Sequence, residues 1–233
     1  LNEIQDGREV GHYLQLHGLS SVFHEALRPH MSLDRYKQGE LICSQGDPSH
    51  TLYVLVKGKI KIYTDSAEGR TLILSFKTPV DTIGDIEYVQ DAAILNTVEA
   101  VSSVEMISIP YKRLRSHAGD HAPFLQFLLT NISRKFYAKS LTMSFNLMQP
   151  VDVRLAGYLL SVAFADAEPE SGGSISTSGL RDAAHLIGTS YRHVNRVLGQ
   201  FAADGLIERT KGMILVKDRA GLSVRANHNI YES

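Results

Sequence analysis

A chain of 233 residues with 43% hydrophobic content is long enough for one large core or two modest ones. Its formal net charge of −1 excludes a protein that coats nucleic acid with its whole surface but leaves room for one local basic site. A single cysteine, Cys43, excludes an intrachain disulfide or an iron–sulfur cluster held by one chain's thiolates, and fits a reducing compartment.

Residues 1–30 carry no uninterrupted apolar core, so no secretory leader is expected in them. The longest apolar stretch, residues 155–165, is broken by Gly157 and Ser161 and reaches about half of the ~20 residues that span a bilayer. The expectation is a cytoplasmic protein with no membrane partner.

In residues 8–30, Val10, Leu14, Leu16, Val22, Phe23 and Leu27 are spaced among polar positions and broken by Gly18 and Pro29, which predicts one or two short helices. From residue 31 to 109 the period becomes two. Residues 41–42, 52–56, 59–63, 70–76, 98–100 and 104–109 are short and rich in β-branched side chains, and the glycine- and proline-bearing stretches 38–39, 46–48, 57–58 and 67–69 separate them. Many short strands at this spacing predict a sandwich or jelly roll.

After Pro110 the pattern turns helical. Leu125, Leu129, Ile132 and Phe136 recur at spacings of four, three and four, and Met143 and Leu147 continue the row. Such a row is what a dimer seam looks like, and it equally suits a helix packed on its own β-domain. Pro150 ends the helix by withholding a donor and restricting the residue before it. Residues 151–164 read as a further amphipathic helix and 166–173 as a loop. A short strand at 174–176 and a helix over 180–187 follow.

The stretch from Gly188 to Gly205 is the most informative. Val194, Val197, Leu198 and Phe201 fall on one face of a helix, and Tyr191, Arg192, Asn195 and Arg196 on the other. Thr189 or Ser190 supplies the N-cap, and Gly205 suits the left-handed position that ends a helix. Residues 206–209 and 213–217 form a hairpin around Lys211 and Gly212. Helix, turn, helix and hairpin describe a winged helix-turn-helix. The tail after Leu222 is polar and expected to be loose.

This order of parts resembles the cyclic-AMP receptor protein/FNR (CRP/FNR) family of bacterial transcription regulators. The likeness rests on Gly39-Glu40-Leu41-Ile42 with Gly46-Asp47-Pro48, on residues 52–61 around Gly58, on Ile83-Gly84-Asp85-Ile86, on Tyr111-Lys112-Arg113-Leu114, and on Gly188-x-Ser190 with Val194-x-Arg196-Val197-Leu198 and Gly205-Leu206-Ile207. It spans about residues 33–218, and within the family the run from Gly188 to Val194 resembles the YeiL branch most. The resemblance implies an α+β chain. Its parts are a β-roll effector domain over residues 1–115, a dimerisation helix over 116–149 and a winged helix-turn-helix domain over 150–233. It also implies double-stranded DNA, a second copy of the chain, RNA polymerase and an unidentified small-molecule effector as partners.

Departures from the family pattern matter as much. Cyclic-AMP binders place an Arg-Ser pair shortly before the last β-roll motif, and Ile94-Leu95 stand there instead. Apolar groups cannot make the charge-assisted bonds a phosphate needs, so binding of cyclic AMP in the usual way is not expected. Gly84, Asp85, Glu87, Ile94, Leu95, Lys139 and Ser140 occupy the effector-pocket positions the resemblance implies. FNR-type oxygen sensing needs several N-terminal cysteines, which are absent.

Arg192 and Arg196 lie about one turn apart and match the acceptors of guanine. Asn195 suits adenine, and Tyr191 suits phosphate or a thymine methyl. Thr189, Ser190, His193 and Lys211 suit phosphate oxygens, which position a protein without specifying sequence. For each of these residues a solvated surface role is the alternative. His117 and His121 are four apart and read as a metal pair or as surface residues. Cys43, in an apolar strand, reads as an inert thiol or a redox sensor. No catalytic constellation, metal cluster or cofactor motif is present, so no enzymatic activity and no cofactor are expected. Two rival classes remain, a cupin-type metal enzyme, for which residues 33–109 offer only His50, and a ligand-binding module that does not touch DNA.

Overall fold

The computed structural model describes residues 2–65, 71–163 and 173–227, which contain two sheets of four strands, one of three, and eight α-helices. The chain divides into two compact units, residues 1–70 with 74–136, and residues 71–73 with 137–233.

The first unit opens with α1 (Asn2–Leu16) and a short 3-10 helix (Glu25–His30). The strands β1 (Ser32–Tyr36), β2 (Leu41–Cys43), β3 (Thr51–Lys57), β4 (Ile60–Asp65), β5 (Thr71–Lys77) and β6 (Asp81–Ile83) follow. Helix α2 (Asp85–Gln90), strands β7 (Thr97–Ala100) and β8 (Val104–Pro110) and helix α3 (Tyr111–Ala118) complete the β-rich part. One sheet runs β1-β8-β3-β6 and the other β2-β7-β4-β5. This is the expected roll. Strands β1 and β6 and helix α2 were not expected, because Asp81-Thr82-Ile83 and Asp85-Ile86-Glu87 carry too few apolar residues to show a period. Their polar side chains are nonetheless buried.

Alternation decides which way each side chain faces. Leu52, Val54 and Val56 of β3 turn outward and join Leu33, Ile107 and Ile109 against Val10, Leu14, Phe23, Leu27 and Leu114. Leu55 of the same strand turns inward and meets Ile42, Ile60, Ile83, Val98, Val104 and Met106 between the sheets. The first sheet is therefore covered on both faces, which is why β3 reads as a nearly continuous apolar run.

The long helix α4 (Ala122–Met148) begins after a break at Gly119-Asp120, later than residue 116 where the dimer helix was expected to start. His117 closes α3 and His121 precedes α4, so the two histidines do not share a helix face, which corrects that expectation. His117 stacks on His30 at 5.5 Å between ring centroids, and His121 meets His24 at the same separation. Among the described residues no group of three metal-ligating side chains exists.

Two apolar rows run along α4. Phe124 and Leu128 are buried in the first core, with Phe127 packed against it. The row read from sequence is a different one: Leu125, Leu129, Phe136 and Met143 are exposed, Leu129 by 60% and Phe136 by 72%, and Ile132 is half-buried. The helix packs on its own β-domain with one face while the 4-3 row remains uncovered.

In the second unit α5 (Val151–Ala163) starts directly after Pro150, and β9 (Ser174–Ser176), α6 (Leu180–Leu186), α7 (Tyr191–Ala203), β10 (Ile207–Thr210) and β11 (Met213–Val216) follow. The sheet order is β10-β11-β9, all antiparallel. The expected loop over residues 166–172 and the turn over 67–69 lie outside the described residues. The tail is not loose as far as residue 227. Helix α8 (Arg219–Arg225) is capped by the Asp218 side chain, which accepts the Gly221 amide, and it buries Leu222 and Ala226 completely. An isolated leucine and alanine in a polar segment gave no period to read. No helix of the described residues is long and apolar enough to cross a membrane.

Candidate nucleic-acid interface

Helix α7 is built as its sequence predicts. Ser190 is the N-cap, its Oγ accepting the His193 amide at 3.2 Å. Val194, Leu198 and Phe201 are completely buried and Val197 nearly so, against α5, α6 and β10. At the other end Gly205 has φ 75°, a conformation that strains any residue with a Cβ. Its amide bonds to Ala202 O at 3.2 Å and that of Leu206 to Phe201 O at 2.9 Å, a Schellman closure. One face of α7 is thereby left toward solvent on a base of buried side chains.

That face carries Tyr191, Arg192 and Arg196, all exposed, with His193 and Asn195 half-buried beside them. Arg196 donates from a terminal nitrogen to His193 Nε2 at 2.8 Å, and His193 Nδ1 lies 3.4 Å from Thr189 Oγ1. Asn195 is held at both ends of its amide. Nδ2 donates to Tyr191 O at 3.1 Å, and Oδ1 accepts from Arg209 of β10 at 3.0 Å. The Arg181 guanidinium of α6 lies 5.8 Å from the centre of the Tyr191 ring. Lys211 is exposed at the tip of the hairpin, and the neighbouring Glu208 carboxylate is turned to Lys217 at 3.2 Å. Among the described residues none of Arg192, Arg196, Arg209 and Lys211 forms an ion pair, so this is a local positive field on a chain of nearly zero net charge.

Arg209 and Arg181 were missed in the sequence. The signal for Arg209 was present: it stands two residues from Ile207 on the same strand face, and Ile207 is buried. Beneath the turn before α7, Arg154 of α5 is 9% exposed and donates to Ile187 O, the cap of α6. Asn146 of α4 donates to the adjacent carbonyl, Leu186 O, at 3.4 Å.

The effector-pocket positions look quite different. Gly84 takes φ 86°, and a Cβ there would meet Thr51 O at 2.5 Å and Tyr111 Oη at 2.6 Å, so only glycine fits. Its carbonyl accepts the Tyr111 hydroxyl at 2.6 Å. Asp85 is buried and accepts from Thr82 Oγ1 at 2.8 Å and from Lys135 Nζ at 2.8 and 2.9 Å. Lys135 also pairs with buried Asp81 at 3.3 Å and donates to Thr82 O. Glu87 accepts the Leu95 amide at 2.9 Å. Ile94 is buried while Leu95 is exposed, and Lys139 and Ser140 belong to the other compact unit. Lys135 was not singled out from sequence, although it continues the inward row Phe124, Leu128, Asn131 at spacings of four, three and four. Burial pushes the Cys43 thiol up to about 12, with the Glu87 charge adding to the effect, and this leaves it an inert thiol near neutral pH.

Comparison with known proteins agrees with this geometry. Residues 33–121 match the cyclic nucleotide-binding domain and residues 153–225 the Crp-like helix-turn-helix domain. The regulatory protein YeiL of Escherichia coli O157:H7 is 29% identical over 184 residues, covering 79% of this chain and 80% of that protein. The chain belongs to the CRP/FNR family of transcription regulators. This regulator is also 26% identical, over 82% of its length and 86% of the other's, to a CRP-like cAMP-activated global transcriptional regulator of Mycobacterium tuberculosis. In fold it is similar to a CRP-family transcriptional regulator from Thermus thermophilus, with a TM-score of 0.72, 23% identity and coverage of 85% and 98%. A putative CRP/FNR regulator from Eubacterium rectale superposes with a TM-score of 0.76 at 19% identity, covering 87% of this chain and 93% of that one. As a CRP/FNR-type regulator it carries a DNA-binding helix-turn-helix, of which α6 and α7 are the two helices.

Proposed function

We propose that this regulator binds a partly palindromic DNA site as a homodimer in the cytoplasm, with α7 in the major groove and Arg192 and Arg196 reading guanine. The observation that carries this reading is the exposed, unneutralised guanidinium pair on a helix whose opposite face is wholly buried. Ser190, Tyr191 and Lys211 contact phosphates, and Asn195, clasped by Arg209, sets the distance between the hairpin and α7. Asn195 reads adenine only if it exchanges one of its two internal bonds for the base. Two copies related by a two-fold axis would meet half-sites about one helical turn apart, or a multiple of it.

The dimer seam is the exposed row Leu125, Leu129, Ile132, Phe136 and Met143. Contiguous exposed apolar surface of this kind is what an oligomer interface covers. Residues 1–115 serve as the effector domain, 116–149 as the dimerisation segment and 150–233 as the DNA-binding domain. A small-molecule effector and RNA polymerase complete the partners this reading assigns.

Although relatives are described as cAMP-activated, this regulator does not bind cyclic AMP in the usual way. Ile94 and Leu95 offer no cation, and Lys135, the cation against Asp85, is paired with Asp81 and Asp85.

The test is a competition mobility shift with a duplex that the full-length protein selects from a randomised pool. Arg196→Ala should weaken the selected duplex by about 1–3 kcal/mol relative to a scrambled one. An equal loss on both duplexes would reduce Arg196 to a phosphate contact.

A further inference from the structure

The reading of α7 rests on Arg196, yet an exposed arginine has much rotamer freedom to lose before it can make two bonds to one base. Here it is held. Arginine has no acceptor, so in the 2.8 Å bond between Arg196 and His193 the imidazole Nε2 must carry a lone pair. The proton of the neutral ring then sits on Nδ1, which lies 3.4 Å from the Thr189 hydroxyl. Thr189, His193 and Arg196 form a chain from the turn before α7 to the reading guanidinium. His193 lies one turn from both of its neighbours, as the helix pitch requires.

We propose that His193 is a positioning residue for Arg196, and that its protonation releases Arg196 and lowers the sequence selectivity of DNA binding. This rests on the reading of α7 as the DNA-reading helix. Adding a proton to Nε2 replaces the acceptor with a donor, so the bond is lost and two cations stand one turn apart. Acid favours the protonated ring, so selectivity falls as the solution is acidified.

The surroundings offer no carboxylate to offset that second charge. On α7 the charged neighbours are Arg192 and Arg196. On the elements packed against it, α5 brings Arg154 and an Asp152 that is paired with Arg225 at 3.2 Å. Strand β10 brings Arg209 and a Glu208 that is paired with Lys217. Helix α6 brings Arg181, Asp182 and His185. Among the described residues no carboxylate is within ion-pair distance of His193.

The experiment measures, for the full-length protein, affinity for its selected duplex and for a scrambled duplex of equal length, from about pH 8 to about pH 5.5. Protonation elsewhere raises attraction to both duplexes alike, so the ratio isolates reading from general attraction. The wild-type ratio should fall about tenfold on acidification. His193→Gln, whose carbonyl can still accept from Arg196 but cannot titrate, should keep the high ratio and hold it level across the range. His193→Leu should show the low ratio at every pH, with thermal unfolding confirming that it folds. A wild-type ratio that stays level or rises in acid, or a Gln variant that titrates like the wild type, overturns the proposal. If the wild type prefers no duplex at any pH, the DNA-reading assignment itself has failed and this inference goes with it.

Discussion

The polar groups of the β-roll and those of α7 are of similar chemistry and opposite disposition. In the roll, Lys135 is spent on Asp81, Asp85 and Thr82, Tyr111 on Gly84, and Glu87 on the Leu95 amide. On α7 and its hairpin, Arg192, Arg196 and Lys211 stand in solvent with no ion pair among the described residues. Charge that is buried must be paired inside the protein, whereas charge that is exposed and unpaired is available to an outside partner. These polar groups of the roll are therefore satisfied within the protein, whereas the cations of α7 and its hairpin are not.

The largest effect should come from breaking the roll's internal pairing. Lys135→Met leaves Asp85 buried with only the Thr82 hydroxyl, and should lower stability by about 3–5 kcal/mol in urea unfolding. Adding Asp85→Asn should recover part of that loss. If Lys135→Met proves neutral, the lysine is not structural and the pocket is open to an anionic effector.

A smaller effect concerns access to the roll. With its thiol pushed up to about 12, Cys43 holds little thiolate near neutral pH. At about pH 8 it should react with iodoacetamide roughly a hundredfold more slowly than free cysteine. The direction is set by burial: because the folded value is raised, reactivity should climb as pH rises toward it, and unfolding in urea should restore the ordinary rate. Fast labelling of the folded protein would show the roll to be open to solvent.

The smallest effect lies at the reading head, which is held by local bonds. Ser190→Ala removes the cap that accepts the His193 amide and should lower stability by about 1 kcal/mol. Weaker binding to the selected duplex should accompany it, because the first turn of α7 carries Arg192 and His193. Unchanged binding would show that the turn is held by tertiary packing alone.

What was legible in the sequence follows from the pitch of the backbone. Val194, Val197, Leu198 and Phe201 announce a buried helix face because 3.6 residues make a turn, and short runs of β-branched residues between glycine-bearing turns announce the strands of the roll. Ser190 and Gly205 mark the ends of α7 through bonds made within a few residues. These local signals determined the roll, the long helix, the winged helix-turn-helix and the exposed arginines of α7.

Partners distant along the chain carry no such period. Lys135 finds Asp81 and Asp85 some fifty residues away, and Arg209 crosses from the hairpin to clasp Asn195. Helix α8 forms because Leu222 has a core to enter, and α2 forms with its acids buried because Thr82, Lys135 and the Leu95 amide receive them. By itself the sequence determined the roll, the long helix, the winged helix-turn-helix and which face of α7 is polar, but not β1, β6, α2 or α8. Only the tertiary structure decided which of the charged groups are neutralised, since that depends on distances between residues that no local pattern relates.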